Sequence, residues 1–276
     1  MLAVGTIDYL NTQPIEHYLD AFLPNIPRLR NTPTVINEAL VKGQVAVAAI
    51  SSYEFACHAQ DLLLIPDFSI ATLGAVNSVL LFTWRADPRE LDGALVALSD
   101  HSATSVNLLR VLCEQHYHIC PEWRTMPQDL ETMLTTCEAA LLIGDQALRE
   151  GVLRRHIGPR GLPYCFDLGD EWLKLTGLPF TFAVWAARRD QAAAIEAAGI
   201  IPALAAAKTQ GLQNIATLAA AYAPRLGLPA GVCAKYLRDL RHNLEESDLQ
   251  GLQTFLTYAL PAFTWQQVRY FGSQRE

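Results

Sequence analysis

Two segments constrain the fold more than any others. Ser78-Val-Leu-Leu-Phe-Thr-Trp84 and Phe180-Thr-Phe-Ala-Val-Trp185 are dense in aromatic and β-branched residues, the composition of well-packed strands. They lie about 100 residues apart and bracket residues 87–178. Before and within that bracket one pattern recurs: a short apolar run, a cluster of small polar residues, then a helical run. Residues 2–7 lead to 8–12 and to Pro14, placed for a first helical turn. Residues 34–41 read as a short helix closed by Gly43. Residues 45–50 lead to Ser51-Ser52 and a helix from about Tyr53. Residues 94–98 lead to 99–104 and a helix over 105–114, and 139–143 lead to Gly144-Asp145 and a helix over 146–150. Strands alternating with helices predict an α/β protein with mainly parallel sheets. Beyond Arg189 the chain turns Ala/Leu-rich, with helices predicted over 202–223, 229–241 and 246–259.

The bracket predicts two lobes. The first takes residues 1–85 and 180–276, and the second, residues 86–179, is inserted between the two bracketing strands. A chain that crosses twice between α/β lobes makes a cleft, the layout of type II periplasmic-binding-protein folds, whose ligands sit between lobes that close by hinge motion. Gly74, Gly177 and Pro179 precede the crossings and are the hinge candidates.

Charge narrows the occupant. With 21 Lys and Arg against 28 Asp and Glu, the formal charge is -7. Phosphate neutralisation calls for a basic excess or stripe, so nucleic acid is not an expected partner. The arginine pairs 154–155 and 188–189 are too sparse to make one, and the 158–161 turn lacks the spacing of a phosphate loop. No apolar run is long enough to span a bilayer, so no membrane partner is expected. The start shows no basic region, apolar core and cleavage site, which reads as a cytoplasmic protein whose six scattered cysteines stay reduced. Cys113-Glu-Gln-His116-Tyr-His118-Ile-Cys120 holds four possible metal ligands. Its spacing fits no zinc motif, and Cys113 shares an apolar helix face with Val106 and Leu109, so no metal is expected. No dinucleotide or nucleophile-elbow motif is found, so no cofactor is expected.

In an open parallel sheet, ligands bind beyond the carboxyl ends of strands. Four such ends carry small polar residues here: Asn11-Thr12, Ser51-Ser52, Ser102-Ala-Thr104-Ser105 and Gly144-Asp145. Helix N-termini offer unpaired N–H groups and partial positive charge, which suit a carboxylate in an acidic chain. Simple helix capping uses the same residue types. His101 stands among the hydroxyls at 99–105 and is a candidate general base, or a solvent-facing loop histidine.

An ordered set of motifs then adds a resemblance. It comprises Gly5-Thr-Ile-Asp-Tyr-Leu-Asn-Thr-Gln-Pro14, Ser69-Ile, Gly74-Ala-Val-Asn-Ser-Val-Leu-Leu81 and Ser102-Ala-Thr-Ser105. It continues with Ile143-Gly-Asp-Gln-Ala-Leu148, Asp167-Leu-Gly-Asp-Glu-Trp172, Thr176-Gly-Leu-Pro-Phe180 and Ala183-Val-Trp185. Together, over about residues 3–190, they resemble the chorismate dehydratase family of menaquinone biosynthesis, first enzymes of the futalosine route. The resemblance implies a periplasmic-binding-protein-like fold in a cytoplasmic hydro-lyase. Its reaction would convert chorismate to 3-[(1-carboxyvinyl)oxy]benzoate with loss of water and no cofactor.

The resemblance also implies that Asn11 and Ser78 are the catalytic positions. Thr12, Ser51, Ser52, Ser102, Thr104, Ser105 and Asp145 are the expected substrate-binding residues. No strong protein base stands at the matched positions, which suggests proton removal by the substrate's own enolpyruvyl carboxylate; His101 and Asp145 are the rival bases. Asp145 also reads as a helix cap, and Asp167 and Trp172 as lobe packing. Two alternatives are a naphthoate synthase of the same route and a non-enzymatic small-anion-binding protein of the same fold.

Overall fold

A computed structural model describes residues 2–153 and 160–272. Arg154, Arg155 and the start of the 158–161 turn lie outside the described residues. Among the described residues ten strands form two sheets of five. The first sheet holds β1 (Val4–Ile7), β2 (Arg28–Asn31), β3 (Val47–Ser51), β4 (Leu62–Thr72) and β10 (Phe180–Arg188), in the order β2-β1-β3-β10-β4. The second holds β5 (Val79–Thr83), β6 (Leu95–Ser99), β7 (Glu122–Met126), β8 (Ala139–Ile143) and β9 (Tyr164–Asp167), in the order β7-β6-β8-β5-β9.

The two sheets follow one plan. In each, three strands run parallel with the earliest of the three in the middle, β1 between β2 and β3 and β6 between β7 and β8. In each, a strand that arrives from a crossing, β10 or β5, inserts antiparallel beside the third strand. The sheets are therefore mixed, where the alternating pattern predicts mainly parallel pairing. The apolar content of β5 and β10 reports burial on both faces and does not encode strand direction.

Sheet membership also moves a boundary. Residues 79–83, expected in the first lobe by a division at 85, are β5 of the second sheet, hydrogen-bonded to β8 and β9. The chain crosses at 73–78 and returns at 177–179. Gly74 and Gly177 sit in these crossings with φ of 92° and 72°, a backbone region costly for residues with a Cβ. Strand β4 escapes the sequence pattern because Pro66 and Asp67 interrupt its alternation, and Asp67 takes a φ of 64°. The helix predicted over 202–223 is two, Ile200–Gln213 and Ile215–Leu226, broken at Asn214.

The carboxyl-terminal helices brace the lobes. Trp172 and Phe180 are fully buried with Phe255, ring centroids 5.3 Å and 6.2 Å from Trp172. Trp172 Nε1 donates to Pro179 O at 3.1 Å, which anchors the return crossing. Helix Glu246–Ala259 lies so close to that crossing that a Cβ on Gly251 would stand 2.0 Å from Pro179 O. No single helix among the described residues is long and apolar enough to cross a membrane.

Candidate active site

The carboxyl ends of β1, β3 and β8 and the residues just beyond β6 meet at one cleft between the sheets. It encloses about 610 Å³ of empty space, the open mouth included. Its apolar walls come from Ile7, Ile50, Ile70, Val76, Ile143 and Phe182. Its polar groups are Tyr9, Asn11, Thr12, Ser51, Ser78, Ser102 and Ser105. Every described lining side chain is uncharged at neutral pH. An apolar cleft with hydroxyls and an amide among its lining suits an anionic ring compound held by oriented dipoles.

Six of the nine predicted site residues line this cleft: Asn11, Thr12, Ser51, Ser78, Ser102 and Ser105. Asn11 Oδ1 is buried without a hydrogen-bond partner among the described residues. Thr12 lines the cleft, yet its hydroxyl is engaged by Ile7 O at 2.7 Å and Tyr9 O at 3.0 Å. Ser51 and Ser102 are also N-caps. Ser51 Oγ accepts from Glu54 N at 3.4 Å, and Ser102 Oγ accepts from Ser105 N at 3.1 Å. Capping and cleft lining therefore coincide. In helix Ala103–Leu112 the N–H groups of Ala103 and Thr104 precede the capped one and have no intrahelical acceptor.

Ser52, Thr104 and Asp145 do not line the cleft. Ser52 Oγ donates to Thr181 O at 2.7 Å and is fully buried, tying β10 to the helix that follows β3. Thr104 Oγ1, also fully buried, accepts from Tyr53 N at 3.0 Å. That bond also withdraws an N–H from the Ser51-Ser52 helix end, leaving the Ser102 end the better anion seat. Asp145 Oδ1 accepts from Leu10 N at 2.9 Å. Burial pushes its carboxyl up to about 6. Asp145 thus bonds the opposite lobe, where the sequence suggests a cap on its own helix. Thr34 Oγ1 adds a bond to Asp100 O at 3.1 Å, and Tyr9 Oη stands 3.4 Å from His101 Nδ1. These contacts cross from the first sheet's lobe to the second's, so the cleft is closed.

Gly144 shows how tightly it closes. Its φ is 68°, and a Cβ there would lie 2.6 Å from the Tyr9 ring. The ring of one lobe is seated on bare backbone of the other. Burial, aided by Asp145 and Asp100, pushes the Tyr9 phenol up to about 12, so it remains a neutral donor.

Two residues support Ser78 from behind the cleft: Asp167, which the sequence reads as lobe packing within the 167–172 motif, and Tyr236, which carries no motif signal. Asp167 accepts from Val76 N at 3.0 Å and Asn77 N at 2.6 Å, and from Gly169 N at 2.9 Å, so it fixes the crossing that presents Ser78. Asn77 takes a φ of 60°, which asparagine tolerates. Tyr236, on helix Ala230–Asp239, donates to Ser78 Oγ at 2.9 Å. The Cys113–Cys120 run serves the second lobe: Cys113 is buried, and His116 Nε2 lies 3.5 Å from Glu171. Among the described residues no three His, Cys, Asp or Glu side chains converge as a metal set.

Fold and cleft define a two-lobe, periplasmic-binding-protein-like α/β protein with an uncharged ligand site between its lobes. Solved structures share the fold. A protein from Archaeoglobus fulgidus aligns with a TM-score of 0.73 at 16% identity, covering 94% of this chain and 96% of its own. The alkanesulfonate-binding protein SsuA from Xanthomonas axonopodis pv. citri, bound to MOPS, aligns at 0.65 and 17% identity, covering 97% and 95%. The family model described as menaquinone biosynthesis matches residues 2–260. A relative from Thermus thermophilus, named chorismate dehydratase, is 36% identical over 261 residues, 91% of this chain and 93% of the relative. The chain belongs to the menaquinone biosynthesis family.

Proposed function

We propose that this chain is a chorismate dehydratase, a hydro-lyase that converts chorismate to 3-[(1-carboxyvinyl)oxy]benzoate and water. The observation that carries the reading is the uncharged cleft lined by both Asn11 and Ser78. Chorismate has two carboxylates on a six-membered ring, and its elimination is driven by aromatisation. Such a reaction asks an enzyme to hold one conformer, exclude water and guide one proton. The proton leaves the ring carbon that bears the enolpyruvyl ether. Its C–H electron pair becomes ring π density, and the neighbouring C–O bond breaks to release the hydroxyl, which gains a proton to leave as water.

None of the described lining side chains is a carboxylate or an imidazole, which supports proton removal by the enolpyruvyl carboxylate of the substrate. Asn11 hydrogen-bonds the departing hydroxyl, and Ser78 anchors a carboxylate. The amide end of helix Ala103–Leu112, with Ser102 and Ser105, seats the second. Thr12, Ser52, Thr104 and Asp145 shape and close the site without touching substrate. The lobes that close are residues 2–72 with 180–272 and residues 79–153 with 160–176.

Purified protein incubated with chorismate is expected to yield an aromatic product lighter by one water, followed by ultraviolet absorbance and mass spectrometry. Chorismate recovered unchanged from folded protein overturns the assignment. His101→Asn is expected to keep turnover within about threefold of wild type. A loss of the 10²-fold order typical of a general base would install His101 in that role.

A further inference from the structure

Tyr236 lies some 158 positions from Ser78 in sequence, on a carboxyl-terminal helix with no chemical motif, yet the two touch. Its side chain is buried, 3% exposed, and its phenol donates to Ser78 Oγ at 2.9 Å. We infer that Tyr236 is a positioning residue that fixes the hydrogen-bond polarity of Ser78.

The phenol proton goes to Ser78 Oγ. Ser78 accepts from the phenol and keeps its own proton. The alternative intramolecular acceptor, Val76 O, is distant at 3.5 Å. Ser78 thus faces the cleft as a donor to an oxygen anion. Burial keeps the phenol protonated, so the bond does not reverse with pH. Without the phenol, the hydroxyl can turn to Val76 O.

The inference rests on the dehydratase reading, and the test separates the two. Wild type, Tyr236→Phe, Ser78→Ala and the double variant are assayed with chorismate, with thermal melting of each. Tyr236→Phe keeps the ring and its packing. It is expected to melt within a few degrees of wild type and to lose about tenfold in kcat with little change in KM. In the Ser78→Ala background the same change is expected to cost less than about twofold, because the residue it acts through is gone. Wild-type kcat in Tyr236→Phe overturns the inference and leaves the dehydratase reading standing. Equal fractional losses in both backgrounds, tracking a lowered melting temperature, assign Tyr236 to packing alone and also overturn it. An inactive wild type removes the dehydratase reading and the inference with it.

Discussion

Glu16 carries a pH signature that falls within the working range of the protein. It is buried, accepts from Ile7 N at 2.9 Å and Thr12 Oγ1 at 3.0 Å, and has one oxygen without a partner. Burial pushes its carboxyl up from 4.5 to about 8, the two hydrogen bonds opposing only in part. The folded protein therefore holds a proton that the unfolded chain releases between those values. Stability at this site is full below pH 4.5, falls as pH rises, and is lost by about 8. Glu16→Gln imitates the protonated form. It is expected to leave the melting temperature unchanged near pH 4 and to raise it above pH 8, by a free energy on the order of 1–3 kcal/mol. A melting series across pH checks this.

The residue scale also shows what could be read in advance. Asn11 stands among the small polar residues beyond a strand end and Ser78 within a motif of the resemblance, and both line the cleft. Ser52 and Thr104 carry the same chemistry one or two positions along, and their hydroxyls serve protein partners instead. Spacing cannot separate the two cases, since adjacent side chains at a helix start point in different directions. Tyr236 had no such signal: on an amphipathic helix, an aromatic at a buried position reads as core.

Among the elements, the helix starts do two tasks. Those after β3 and β6 cap themselves with serines and bond each other across the cleft through Tyr53 N and Thr104 Oγ1. Thr104→Val keeps the shape and removes the acceptor, leaving a part-buried N–H unpaired in the closed form only. Such a loss is worth roughly 1–3 kcal/mol, so KM for chorismate is expected to rise about tenfold while kcat changes less. Steady-state kinetics decides it; a pure kcat effect would place Thr104 in the chemistry. Strand existence at 45–50, 94–98 and 139–143 was legible from apolar runs followed by polar clusters. Strand direction was not, and neither was β4, whose Pro66 and Asp67 mimic a loop.

At the scale of the molecule, the two sheets repeat one plan and are joined by crossings that other elements hold. The outgoing crossing is gripped by Asp167, the returning one by Trp172 and helix Glu246–Ala259. Gly251 packs directly on Pro179 O, so Gly251→Ala forces the helix or the crossing to move. Overpacking of this kind typically costs about 1–3 kcal/mol. The variant is expected to melt several degrees lower and, at temperatures where it remains folded, to bind chorismate more weakly. Calorimetry and a binding isotherm give the two readouts.

The uncharged cleft has a consequence for how ligand reaches it. A doubly negative acid approaching a protein of net charge -7 meets repulsion, and no cation in the described walls offsets it. Dissolved electrolyte shortens the reach of that repulsion, from about 30 Å at 0.01 M to about 8 Å at 0.15 M. Raising ionic strength over this range should therefore leave kcat/KM unchanged or increase it, opposite to an enzyme that steers anions with lysine or arginine. A steep decline with added sodium chloride would mean that a positive group takes part in capture.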